Sequence, residues 1–171
     1  MIRSERLTAD LQGPFAVFLI GMRINKLWKV HQWLPVARAM PRMLKELAQR
    51  PQEGMLGAEM WFGRTTIMLQ YWRSVEQLLA YATNRDAVHL PAWRAFNQAV
   101  GVSGDVGIWH EMYSGVPGTY ENVYVNMPPF GLGKVGNVRT ASGELRSALE
   151  RIRASGSVRR AASAKKGRLH A

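Results

Sequence analysis

Four histidines, one strand-borne glutamate and an arginine–asparagine pair are the residues of this chain whose types suit chemistry. His110 stands in the run VGIWHEMY, between Trp109 and Glu111 and among apolar neighbours. An imidazole there is either a satisfied core residue or a general base or haem ligand, because its charge changes near neutral pH. His89 precedes Leu90-Pro91 at the start of a helical stretch, where it suits a hydrogen bond at the helix start or a place in a pocket. His31 falls in an aromatic and cationic connector and His170 in a basic tail, and no pattern assigns either a role. Arg23 and Asn25 lie two apart in an extended run, so they share a face; together they suit an anionic substrate group, or Arg23 is a strand-end cation paired to a carboxylate. Glu59, among Met55, Leu56, Met60 and Trp61, is either an inward carboxylate able to act as a base or an outward residue of a sheet face.

Several chemistries are disfavoured by spacing. His110 and Glu111 are adjacent on a strand and point to opposite faces, so they cannot form a dyad on one substrate. No His and carboxylate pair has the i, i+3 or i+4 spacing of a familiar helical metal motif. With no cysteine in the chain, thiolate ligands, disulfides and a cysteine nucleophile drop out. Gly131-Leu-Gly133 and Gly13-Pro14 lack the strand-to-helix context of a phosphate loop, and no serine nucleophile elbow is present.

The elements that must position these residues follow from periodicity. Phe15 to Asn25 reads as a largely buried strand, apolar on both alternating faces until Arg23. After the connector KLWKVHQW, a helix is expected from Pro35, with Val36, Met40, Met43, Leu44 and Leu47 on one face. Pro41 inside it predicts a kink or a break. Met55–Phe62 and Thr65–Arg73 read as strands joined by a tight turn at Gly63-Arg64. Ser74-Val-Glu-Gln77 has capping-box spacing and opens a helix through about Thr83. A second helical stretch is expected after Asp86, with Val88, Ala92, Ala95, Phe96 and Ala99 on one stripe. A fourth strand spans Val106–Tyr113. Strand, helix, strand, strand, helix, strand is the split βαβ order, βαββαβ, of a ferredoxin-like α+β domain. One face of such a sheet stays partly bare and apolar, which makes a homodimer the expected assembly.

Length and charge set the outer frame. The 171 residues are 47% hydrophobic and 20% charged, a globular balance for one domain with extra length. From Lys134 to Ala171, ten Lys and Arg stand against two Glu, so only three of the eleven excess positive charges belong to the rest of the chain. The basicity therefore belongs to an appendage, and sequence-specific nucleic-acid recognition is not expected of a tail without aromatics. The longest apolar run, Phe15–Met22, is well short of the ~20 residues of a membrane-spanning helix, and neither a secretory signal nor a transmembrane segment is expected. The absence of cysteine agrees with a cytoplasmic location. Four regions are expected: an N-terminal arm over 1–14, the α+β domain over 15–115, an ordered arm over 116–136 packing on the domain or on a dimer partner, and a basic, mostly flexible tail over 137–171.

The run QYWRSVEQLLAYATNRDAVHLPAWRAF, followed by GDVGIWHEMY, resembles the second half of antibiotic-biosynthesis-type monooxygenase domains. FLIGMRINKLWKVHQWLPV before it and NMPPFGLG after it extend the likeness to a bacterial and fungal family similar to the fumagillin-pathway monooxygenase. The resemblance spans Phe15 to Gly133. It implies a dimeric α+β barrel and oxygen chemistry on, or binding of, a hydrophobic substrate. The superfamily also holds haem-degrading enzymes, which use an Asn on the first strand, a Trp on the second helix and a His after it. Here Asn25 ends the first strand, Tyr81 stands in the Trp place and His89 lies near the His place.

These strands of reasoning lead to a monooxygenase-like oxidoreductase that binds, and oxidises without a metal, a hydrophobic or aromatic small molecule in an apolar pocket. His110 or His89 would deprotonate the substrate, and Arg23 and Asn25 would stabilise its anion. Trp72, Trp93, Phe96, Trp61 and Tyr81 would line the pocket. No cofactor is required by that scheme. Two alternatives stand beside it: haem binding through His89 or His110, and a non-enzymatic interaction protein that works through its basic tail.

Overall fold

A computed structural model describes residues 1–84 and 101–156. Among these, six strands run in chain order: β1 Leu7–Asp10, β2 Phe15–Ile24, β3 Met55–Trp61, β4 Ile67–Trp72, β5 Val106–Gly115 and β6 Asn137–Thr140. Helices α1 Val30–Gln49, α2 Val75–Thr83 and the single turn α3 Leu132–Val135 are interleaved with them. The chain divides into a central unit, Val17–Tyr113, and a terminal unit made of Met1–Ala16 with the segment from Ser114 onward.

In the central unit the sheet order is β3-β4-β2-β5, which is the split βαβ order with the first and third strands of the motif in the middle. The fold class is α+β and ferredoxin-like, as the periodicity predicts. Antiparallel pairing sets Trp61 opposite Ile67 and Glu59 opposite Leu69. The Thr66 amide donates to the Met22 carbonyl and the Ile24 amide to the Arg64 carbonyl, each at 2.8 Å, which joins β2 to β4. Parity then sorts the side chains. Met22, Ile24, Val106 and Ile108 form one cluster with Trp33, Val36 and Ala37 of α1. Met68, Gln70 and Trp72 are buried on the same side, where Trp72 stacks on Tyr81 of α2. Arg23, Ile67, Trp61 and Trp109 share the opposite, open face.

Three local expectations are corrected. The helix expected from Pro35 begins five residues earlier and continues through Pro41 without a break. The prolines leave two carbonyls of the helix without intrahelical partners, and buried Met43, Glu46 and Leu47 hold the helix through tertiary packing instead. The two-residue turn at Gly63-Arg64 opens into a longer connection, because Arg64 to Thr66 pair with β2 rather than with β3. Ser74 caps α2 by accepting from the Gln77 amide at 3.2 Å, but the Gln77 side chain donates to the Gln52 carbonyl at 3.3 Å rather than reaching back to its own cap.

The terminal unit departs from the expectation of an arm at one end and a mostly flexible tail from 137. β1 and β6 pair antiparallel from Leu7 with Thr140 to Asp10 with Asn137. Asn122 brackets Ala9, accepting from its amide and donating to its carbonyl at 2.8 Å each, so the 116–136 arm is tied to β1. Residues 148–156 are helical, and their Arg151 is buried against Glu121 while donating to the carbonyls of Leu145 and Arg146 at 3.0 and 2.8 Å. Local composition cannot reveal this order, since each piece is stabilised by a partner more than a hundred residues away or by one buried ion pair.

Candidate functional site

His110 lies on the helix-covered side of β5 by its parity with Val106 and Ile108, and its ring is exposed with its centroid 5.7 Å from that of Phe18. The sequence puts it there because VGIWHEMY alternates, so the position that continues the buried Val106 and Ile108 row emerges where the strand leaves the core. The result is an exposed imidazole beside the Phe18 ring at the margin of an apolar layer.

Glu111 points the other way, where it accepts a 2.6 Å hydrogen bond from the Tyr113 hydroxyl. That bond to a carboxylate raises the Tyr113 phenol above its ordinary range. Arg23 and Asn25 also belong to the open face. Arg23 Nη1 donates to Thr65 Oγ1 at 2.7 Å, and Asn25 Nδ2 donates to the Gly104 carbonyl at 3.0 Å. Gly107 sits beside both, a Cβ there being 3.7 Å from Arg23 Cβ. The sheet therefore separates His110 from Arg23 and Asn25, and one substrate group cannot meet all three at once.

Of the residues expected to line a pocket, Trp72 and Tyr81 are packed as core. Trp72 is 1% exposed and its Nε1 donates to Gln70 Oε1 at 2.9 Å. Tyr81 donates to Glu46 Oε2 at 3.0 Å, and Arg50 holds the same carboxylate from one turn along α1. Burial first, and then the Glu46 carboxylate, push the Tyr81 phenol well above the usual tyrosine range. Trp61 stands on the open face, partly exposed. Glu59 shares that face through its pairing opposite Leu69. His89, Trp93 and Phe96 lie outside the described residues, as does the helical stripe from Val88 to Ala99.

Sequence reasoning missed three features. Asp105 is buried at the start of β5 and held by Lys26 and Lys29, both at 2.6 Å. Their hydrogen bonds lower its carboxyl to about 2. No local spacing joins residues 26, 29 and 105, although two lysines on either side of an apolar pair are a visible charge cluster. Gln70 is the second, a buried polar residue whose strand alternation gives it a face but no role; it accepts from Trp72 and donates to the Met68 sulfur at 3.0 Å. The third is a cleft in the terminal unit, with about 230 Å³ of empty space, open solvent included, lined by Asp10, Tyr120, Asn122, Arg139 and Arg151 among others. Its charges are already matched, Arg139 to Asp10 and Arg151 to Glu121, which makes it a polar seam rather than a reactive site. Among the described residues, no three His, Cys, Asp or Glu side chains are grouped to hold a metal ion.

Comparison with known proteins follows the central unit. The family model described as Monooxygenase af470-like matches residues 15–132. Monooxygenase af470 of Aspergillus fumigatus is 28% identical over 132 residues, covering 72% of this chain and 46% of that protein, so the chain spans about half the length of that curated relative. Among solved structures, an aldoxime dehydratase crystallised with butyraldoxime superimposes with a TM-score of 0.64 at 14% identity, over 78% of this chain and 41% of that one. A likeness at that identity concerns the fold alone. β1 and β6 fall outside the residues that the family model matches.

Proposed function

Because this chain belongs to the Monooxygenase af470-like family, whose model matches residues 15–132, we propose that it binds a hydrophobic or aromatic small molecule on the helix-covered side of its central sheet and oxidises it without a metal. The observation that carries the reading is the exposed imidazole of His110 against Phe18, the base on the apolar side of the sheet among the described residues. His110 would take a proton from an acidic C–H or phenolic O–H of the bound molecule. The resulting anion would pass electrons to dioxygen, one oxygen atom remaining on the substrate and the other leaving as water. Trp72 and Tyr81 support the floor of such a site rather than contact its ligand. His89, Trp93 and Phe96 join it on sequence grounds.

Arg23 and Asn25 are then assigned to the open face, where a second copy would pack, with Trp61 and Ile67 supplying apolar area. A cytoplasmic homodimer is the form in which we expect the protein to act.

The test is oxygen uptake with a panel of electron-rich hydroxyaromatics after dialysis against a chelator. His110→Ala, with unchanged circular dichroism, should lower the rate by about 10²-fold or more. Turnover at the wild-type rate overturns the role of His110. A Soret band on adding hemin that disappears in His110→Ala would assign this residue to haem ligation instead.

A further inference from the structure

Three connections meet at one end of the central sheet: residues 25–29 after β2, 62–66 after β3 and 101–105 before β5. Their backbones are bound together. Arg64 Nε and Nη2 donate to the carbonyls of Ile24 and Asn25 at 3.1 and 3.0 Å. Asn25 Nδ2 reaches the Gly104 carbonyl, and the Lys26 amide donates to the Asp105 carbonyl at 3.2 Å. This end is therefore a fixed platform, with three loops held in register.

What the platform presents is unusual for a surface in water. Each loop carries a large apolar side chain outward: Leu27 and Trp28 from the first, Phe62 from the second and Val102 from the third. Trp28 is 76% and Phe62 79% exposed, so neither contributes to the core. The same loops carry three cations, Lys26, Lys29 and Arg64. The carboxylate among these, Asp105, is buried and already neutralised by Lys26 and Lys29. The cations outnumber this one carboxylate, so the end of the sheet is positive overall although both lysine ammonium groups are held by Asp105.

Single apolar tips on separate loops, ringed by cations, do not make a groove for a helix or a strand. They match an interface that is apolar below and anionic above. We propose that this end of the sheet docks on an anionic lipid bilayer, Trp28, Leu27, Phe62 and Val102 entering the headgroup region and the net positive charge of the three loops facing the lipid phosphates. Charge complementarity favours the bilayer over a second copy of the chain, since two such platforms would bring two net positive ends together. The inference does not depend on His110 or on any oxidation.

The test uses the full chain, because five further cations beyond residue 156 would attract anionic vesicles by charge alone. Trp28→Ser with Phe62→Ser leaves every charge in place and removes only exposed side chains, so the melting curve should not move. Partition onto vesicles of phosphatidylcholine with about one-third phosphatidylserine, at about 150 mM salt, should fall at least tenfold in the double variant, as expected for two aromatic side chains that no longer leave water. The wild type should bind pure phosphatidylcholine vesicles far more weakly. Brominated lipid should quench part of the tryptophan fluorescence, and Trp28→Phe should abolish that part. Equal partition of wild type and double variant overturns the proposal, as does equal binding to neutral and anionic vesicles. A wild-type dimer that the double variant converts to monomer would assign the platform to a second copy and overturn it as well.

Discussion

The two faces of the central sheet carry the same kinds of residue and treat them in opposite ways. On the covered face, Trp72, Gln70 and Met68 are almost wholly buried, and the polar atoms among them are matched to each other. On the open face, Trp61, Ile67 and Tyr113 are partly exposed, Glu111 is held by the hydroxyl of Tyr113, and the Trp109 Nε1 is buried without an acceptor among the described residues. Amphipathic alternation alone does not say which face is finished. α1 and α2 bury the first group, whereas on the open side the Trp109 indole N–H lacks an acceptor among the described residues and apolar area is uncovered. A missing bond to a buried donor costs about 1–3 kcal/mol, so the open face gains most from an additional partner.

Replacing a tryptophan on each face should have the most unequal effects on stability. Trp72→Ala should destabilise the protein by about 3–5 kcal/mol, the usual cost of deleting a buried aromatic side chain. Trp61→Ala should cost about 0.5 kcal/mol or less in dilute protein. Urea unfolding followed at two protein concentrations checks both. A Trp61→Ala penalty that grows with concentration would identify the open face as the self-association surface.

Tyr81→Phe tests the matched polar atoms of the covered side. Glu46 keeps Arg50 but loses the phenol, and a hydrogen bond to a buried charged group contributes about 1.5–3 kcal/mol. Burial and carboxylate contacts raise several tyrosines, Tyr81 furthest, so an ultraviolet pH titration should lose its highest-titrating phenol in Tyr81→Phe while the fold persists. A Tyr81→Phe protein as stable as the wild type would place the stabilisation in ring packing against Trp72, which the substitution leaves in place.

Gly21 and Gly107 sharpen the contrast within the open face itself. A Cβ on Gly21 would lie 1.9 Å from the Thr66 carbonyl and 2.7 Å from Trp109 Nε1, whereas one on Gly107 meets Arg23 Cβ at 3.7 Å. Gly21→Ala should therefore cost about 1–3 kcal/mol through forced backbone movement, and Gly107→Ala about 0.5 kcal/mol or less. Thermal melts of the pair decide this, and equal melting temperatures would show that Thr66 and Trp109 move aside freely.

How much of this is legible in the sequence depends on range. Alternation places β2, β4 and β5, and Ser74 announces α2, because those signals are local. The face of each β5 residue is also readable, which is what separates His110 from Glu111. The same parity, carried across to β2, sets His110 apart from Arg23 and Asn25, yet that step requires knowing that β5 lies beside β2. Pairings between distant segments are not readable for the same reason: β1 with β6, Arg151 with Glu121, and Asp105 with two lysines nearly eighty residues earlier. Trp72 and Tyr81 are legible as large apolar side chains on the right face. Only the burial of one against the other shows them to be core rather than lining.

Asp105 supplies the smallest and most specific effect, at the end of the sheet where the two faces meet. Its carboxyl ionises near 3.9 in an unfolded chain and at about 2 in the fold, because Lys26 and Lys29 donate to it. Above pH 4 the group is charged in both states and its pairing contributes in full. As pH falls from about 4 towards 2, the unfolded state takes up a proton before the folded state does, so this contribution is lost. Melting temperature should accordingly decline through that window. In Asp105→Asn the decline should be shallower, while the melting temperature at neutral pH is already lower, because two lysines then face an amide. Parallel curves for wild type and variant would mean that other carboxylates govern acid unfolding and that the two 2.6 Å contacts fix the loop geometry without coupling to its titration.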